Sequence, residues 1–114
     1  MKLAVVGSKS FKDYEKLKEV LDEYEDVEEI VSGGAVGADS LAEQYAIEHH
    51  IPIKIFYPNW SKYGKAAGPI RNKLIIQRAD KVVAFWKTGQ ENRGTASSMR
   101  YANSMNKDLK IIMF

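Results

Sequence analysis

Four short stretches of this chain combine small residues with hydroxyls, cations or a carboxylate: Gly7-Ser8-Lys9-Ser10, Ser32-Gly33-Gly34-Ala35-Val36-Gly37-Ala38-Asp39, Gly68-Pro69-Ile70-Arg71-Asn72 and Asn92-Arg93-Gly94-Thr95. Glycine permits positive φ and close backbone approach. Successive amide N–H groups at a helix start then face an anion, helped by the helix dipole. One exposed helix end contributes only about 0.3–1 kcal/mol through its dipole, so several must converge to hold a phosphate. Ser8, Ser32 and Thr95 add hydroxyl donors. Arg71 opens a helix, where a cation opposes the dipole. A bound anion explains that position, and so does a surface arginine stacked on Trp60 or Tyr63. Asp39 reads either as a ligand for a hydroxyl or as a helix cap. Trp60 and Trp86 read either as walls of a base pocket or as core. His49 and His50 are adjacent, too few for a histidine-built metal site, and read as the end of a helix.

Two familiar phosphate motifs are absent. No G-x-G-x-x-G follows the first apolar run, and Gly64-Lys65 is followed by Ala66 rather than Ser or Thr. Dinucleotide-dependent dehydrogenases and P-loop nucleotidases are therefore poor fits.

The elements that must carry these stretches follow from periodicity. Apolar, β-branched runs over 2–6, 29–32, 52–56, 81–86 and 109–113 predict five strands, the first of them buried. Between them, Tyr14, Leu17, Val20, Leu21 and Tyr24 recur at helical spacing, with Ser10 or Asp13 as cap. Ala38, Leu41, Ala42, Tyr45 and Ala46 form a second stripe. Ile70, Leu74 and Ile75 give a third helix its inner face, with Pro69 in the first turn after a long loop over 57–68. Thr95, Met99, Ala102 and Met105 mark a fourth. Strict alternation of apolar strands and amphipathic helices predicts a three-layer α/β, Rossmann-like doubly wound parallel sheet of five strands in the order 3-2-1-4-5. Ligands of such sheets lie at the carboxyl ends of the strands, at the switch between strands one and four. All four stretches fall on that edge.

The 114 residues fit a single domain over 1–114, with 45% hydrophobic residues and no cysteine. Disulfides, thiolate metal sites and a cysteine nucleophile are excluded; neither a metal nor a cofactor is expected. No apolar run approaches the ~20 residues of a membrane span, and the amino-terminal run is too short for a signal peptide. A cytoplasmic location follows as the default, with no membrane partner. The net charge of +2 conceals a division: residues 1–53 hold five basic and twelve acidic side chains, residues 54–114 twelve basic and three acidic. From Lys54 to Arg78 there are six cations and no acid, interleaved with Phe56, Tyr57, Trp60 and Tyr63. Cations beside flat rings suit phosphates and bases.

Taken together, Val5-Val6-Gly7-Ser8, Ser10-Phe11, the Ser32 to Asp39 stretch, Gly64-Lys65-Ala66-Ala67-Gly68-Pro69-Ile70-Arg71-Asn72 and Arg93-Gly94-Thr95 resemble the YspA/YpsA-related branch of the SLOG superfamily, relatives of Smf/DprA and the Lonely Guy proteins. The resemblance implies a Rossmann-like fold that binds nucleotides, nucleotide-derived signals or nucleic acid. Lonely Guy enzymes cleave the N-glycosidic bond of nucleoside monophosphates with an arginine that Arg71 resembles. They also use a glutamate shortly after a glycine-threonine loop that Gly94-Thr95 resembles. Here Ala96-Ser97-Ser98-Met99 follows, so that glutamate is missing, and only Asp39 or Glu91 stands as a substitute.

The leading expectation is binding of a nucleotide-like small molecule. Its phosphate would lie on the loop over 33–37 and on converging helix starts, and its site would comprise Gly7, Ser8, Ser10, Ser32, Gly33, Gly34, Ala35, Gly37, Asp39, Trp60, Arg71, Asn72, Trp86, Gly94 and Thr95. The alternative is a phosphoribohydrolase-like enzyme with Arg71 and Asp39 as catalytic candidates. Single-stranded nucleic acid is a weaker alternative, because the net charge is small and no long basic run occurs. A homo-oligomer, paired through an apolar face of the third or fourth helix, is also expected.

Overall fold

The computed structural model describes residues 1–89 and 92–114. Five parallel strands, β1 (Lys2–Gly7), β2 (Glu29–Ser32), β3 (Ile53–Ile55), β4 (Lys81–Trp86) and β5 (Asp108–Met113), form one sheet in the order β3-β2-β1-β4-β5. Helices α1 (Tyr14–Leu21), α2 (Ala38–Glu48), α4 (Ala67–Arg78) and α5 (Arg93–Ser104) connect them, with a one-turn helix α3 (Trp60–Tyr63) between β3 and α4. The sheet is the expected doubly wound α/β arrangement, and its cause is visible in β1. Leu3 and Val5 point to one side, into a core with Leu17, Val20, Ala42 and Ala46 of α1 and α2. Ala4 and Val6 point to the other, against Ile75 and Ile76 of α4 and Ala102 of α5. Strands covered on both faces need apolar residues at every position, which is why these runs show no alternation.

The register places the carboxyl ends together: Gly7 lies opposite Phe85, and Ser32 opposite Ile55. The order in which successive strands are laid across the sheet reverses between β1 and β4, the expected switch. Asp13 caps α1, its carboxylate accepting from the Lys16 amide at 3.0 Å.

Three local expectations are corrected. The loop over 57–68 is partly helical: Asn59 caps α3, accepting from the Lys62 amide at 3.1 Å, and a 3₁₀ turn, Gly64–Ala66, follows. That turn lets α4 begin at Ala67, so Arg71 lies in its second turn and does not open it. Finally, Leu74 does not face inward; it is 42% exposed, whereas Ile75 and Ile76 are buried. With the helix starting earlier, its buried stripe runs through Ala67, Asn72, Ile75, Ile76 and the following Ala79.

Candidate functional site

At the carboxyl edge, between the loops that leave β1 and β4, lies a cavity of about 350 Å³. This is the small end of the ~300–1,000 Å³ range of ligand sites. Its construction begins with a glycine. Gly37 has φ of +84° and caps α2; a Cβ there would sit 2.4 Å from the Ser8 carbonyl oxygen and 2.6 Å from that of Lys9. No other residue lets the start of α2 lie so close to the loop after β1, and the Ala38 amide donates to that same Ser8 carbonyl at 3.3 Å. The two phosphate-type loops are thereby locked together. Within the first, the Ser8 and Ser10 hydroxyls pair at 2.8 Å.

The loop after β2 is held from inside. Asp39, buried on the first turn of α2, accepts from the Ala35 amide at 3.1 Å, and the Gly33 amide also favours its charged form. The Gly34 amide is directed at the Ser32 hydroxyl, 3.4 Å away. Arg71 reaches across from α4: Nη1 donates to the Gly33 carbonyl at 2.7 Å and Nε to the Asn72 side-chain oxygen at 3.0 Å. A Cβ on Gly33 would fall 2.6 Å from that guanidinium, so close approach requires glycine here too. Asn72 in turn donates to the Gly94 carbonyl at 3.4 Å. One polar chain thus runs from α2 through the β2 loop and α4 to the start of α5. Asn92 braces the remaining loop, donating to the Lys87 carbonyl at 3.0 Å and accepting from its amide at 3.3 Å.

Burial governs the charges. Asp39 is pushed up to about 6, chiefly by desolvation, against the opposing pull of the Ala35 amide, the Arg71 charge and the Gly33 amide. Burial also holds the Arg71 guanidinium below its ordinary value, with Asp39 acting in the opposite sense. Thr95 and Ser98, on successive turns of α5, are 6% and 2% exposed and line the cavity; among the described residues neither hydroxyl has a hydrogen-bond partner.

Of the residues expected to form the site, the cavity brings together Gly7, Ser8, Ser10, Ala35, Asp39, Arg71, Asn72, Gly94 and Thr95. Ser32, Gly33, Gly34 and Gly37 stand behind its wall, building the loop without lining the space. Trp60 is 59% exposed on α3, its ring edge toward Gly68, and Trp86 ends β4 in register with Met113; neither lines the cavity. Arg71 is not stacked on Trp60 or Tyr63, because its guanidinium is engaged by backbone carbonyls. Lining residues outside the expected set are Val6, Lys9, Ile75, Asn92, Arg93 and Ser98. Lys9, Asn92 and Arg93 were signalled by their place inside the two loops. Ser98 follows Thr95 by one helical turn, a spacing that puts both on one face. Asp39 is the one carboxylate lining the cavity among the described residues, and Glu91 lies outside them. No group of three or more histidine, aspartate or glutamate side chains is placed to hold a metal ion among the described residues.

In doubly wound α/β sheets the loops at the switch point, rather than the strands, carry the groups that line the cleft, and here that cleft bears cations. Residues 1–63 match the sequence profile of YAcAr, the YspA, cpYpsA-related SLOG family, and the chain belongs to that family. The match ends at Tyr63, so it includes the loops after β1 and β2 but not Arg71 or the start of α5. Among solved structures, DNA processing protein A (DprA) from Streptococcus pneumoniae is similar, with a TM-score of 0.61 and 18% identity. The alignment covers 96% of this chain and 58% of that one, so the present chain spans little more than half its length, and the likeness is one of fold. No match was found among curated proteins. No helix among the described residues is long and apolar enough to cross a membrane.

Proposed function

We propose that this chain binds a nucleotide or nucleotide-derived small molecule in the carboxyl-edge cavity. The observation that carries the reading is the convergence there of Arg71, Lys9, the α5 start and the hydroxyls of Thr95 and Ser98, which have no hydrogen-bond partner among the described residues. Membership of the SLOG family supports it. The geometry shifts the weight of phosphate binding within the site. The amides of Gly33, Gly34 and Ala35 already face acceptors of the protein itself, with Asp39 playing the part of an internal anion. The amino-terminal turn of α5 has no side-chain cap and no acidic residue. Gly94 and Thr95 there, with Lys9 and Arg71 opposite, are the better phosphate partners.

Thermal unfolding with nucleoside mono- and diphosphates, ADP-ribose and cyclic dinucleotides tests this. A ligand at ~100 times its Kd adds about 2.7 kcal/mol, which for a domain of this size raises Tm by roughly 10 °C. No stabilisation by any of them, in wild type or Arg71→Ala, overturns the proposal.

A second reading, hydrolysis at the ribose C1′ of a nucleotide, has one observation in its favour: a cavity-lining carboxyl, Asp39, held near 6 and thus able to exchange a proton near neutrality. Its reaction is nucleotide plus water giving free base and ribose 5-phosphate. Chromatography for released base decides it, with loss of release in Asp39→Asn expected.

A further inference from the structure

We infer that the part of the ligand this cavity recognises is a phosphorylated sugar, and that an attached base stays outside and contributes little to affinity. The inference rests on the proposed nucleotide-type reading and narrows it.

Its first ground is what the wall contains. No aromatic ring lines the cavity among the described residues, and the two residues outside the description are Gln90 and Glu91, neither of which carries one. Phe11 is buried in the core, Trp60 and Trp86 lie away from the cavity, and Tyr57 packs against Gly34 without lining it. A base bound inside would find Val6, Ala35, Ile75 and the aliphatic parts of the polar side chains, but no flat ring. It would lack the stacking by which bases are usually held.

The second ground is the balance of free donors and acceptors. Sugar hydroxyls both donate and accept, so a sugar site needs groups of both kinds. Thr95 and Ser98 offer hydroxyls with no partner among the described residues, each more than nine-tenths buried and facing the cavity. Asp39 accepts from the Ala35 amide, and a carboxylate has room for about four donors. Its remaining capacity fits sugar hydroxyls. Arg71 spends Nε and Nη1 on the protein, while Nη2 has no partner among the described residues. With Lys9 and the uncapped start of α5 it supplies positive potential for a phosphate. A third consideration is size. About 350 Å³ accommodates a sugar phosphate.

Titration calorimetry with ribose 5-phosphate, ribose, inorganic phosphate, adenosine and the four common nucleoside monophosphates tests the inference. Expected are affinities of ribose 5-phosphate and all four nucleotides within about tenfold of one another. Adenosine, ribose and inorganic phosphate should each be at least ~100-fold weaker. The variant Thr95→Val, which keeps shape and removes the hydroxyl, should weaken ribose 5-phosphate at least ~5-fold with Tm unchanged. Nucleotides that bind with more than ~100-fold base discrimination, while ribose 5-phosphate does not bind, overturn the inference and leave the nucleotide reading intact. Inorganic phosphate or adenosine binding as tightly as the nucleotides overturns it as well, as does an unaltered affinity in Thr95→Val. Silence from every phosphorylated compound overturns the underlying reading itself.

Discussion

Asp39 is buried beside Arg71 without touching it, and its energetics follow from that. Were the two in contact, the guanidinium would hold the carboxyl down; instead desolvation prevails and lifts it from 3.8 to about 6. The fold therefore favours the protonated form, while the unfolded chain does not. The stability tied to this group is full below about pH 4 and is lost as the pH rises through about 6. A shift of two units corresponds to roughly 3 kcal/mol. Urea unfolding of wild type and Asp39→Asn at several values between pH 4 and 7.5 checks this. Relative to the variant, wild type should lose stability steadily across that window. Other carboxylates, such as Glu29 held low by Arg78, contribute equally to both chains and drop out of the difference. A constant difference would mean that Asp39 is ionised throughout. Arg71 is constrained from both sides: Arg71→Ala leaves the Gly33 carbonyl without its charged donor, at a cost of about 1–3 kcal/mol.

At the scale of elements, the starts of α2 and α5 make opposite demands on glycine. Gly37 is fixed by contact: Gly37→Ala would drive a Cβ into the carbonyls of Ser8 and Lys9 in a backbone region closed to alanine. A loss of about 3 kcal/mol or more in urea unfolding is expected. Gly94 has no such constraint, with no atom within 4 Å of its would-be Cβ. Gly94→Ala should raise stability, by up to about 1 kcal/mol through helix propensity. Because it adds a methyl group at the cavity wall, calorimetry should show weaker ligand binding by the same variant. This contrast also marks what the sequence could disclose. Strands, sheet order and the helices α1, α2 and α5 were legible because burial on both faces writes itself into runs and stripes. The earlier start of α4 was not, because a capped turn at Asn59 and a 3₁₀ turn carry no periodicity. The loops of the site were legible from glycine and hydroxyl clusters. Which glycines face the cavity and which only build it depends on contacts such as Gly33 against Arg71, between residues 38 positions apart. Trp60 and Trp86 were misleading for a related reason: residue type shows what a side chain can do, and only the neighbouring elements decide where it points.

For the molecule as a whole, the division of charge along the chain becomes a division in space. The first half of the chain supplies α1 and α2 on one face of the sheet, and the second half supplies α4 and α5 on the other. Helices α4 and α5 carry Arg71, Lys73, Arg78, Arg93 and Arg100 and no acidic residue, while α2 carries Asp39, Glu43 and Glu48 and no cation, and α1 is balanced, Glu15 and Glu19 against Lys16 and Lys18. The outer side of α4 and α5 is not the apolar pairing face expected from sequence, since Leu74 is the one large apolar side chain there among those strongly exposed. Any association of copies through these faces must then be electrostatic, the basic layer of one against the acidic layer of another. Such a contact is heterologous, and builds a ring or an open filament according to its rotation. Exposed ion pairs are worth about 0–1 kcal/mol each, so several must act together, and their reach is set by salt: about 30 Å at 0.01 M and about 3 Å at 1 M. Sedimentation at both salt concentrations should therefore show a mass above that of the monomer at low salt and the monomer alone at high salt. A complex that survives 1 M salt would instead require a packed apolar interface, for which the exposed edge-strand residues Ile111 and Met113 are the nearest material. A monomer at every salt concentration would mean that the two faces serve only to keep the chain soluble and to set the potential at the cavity mouth.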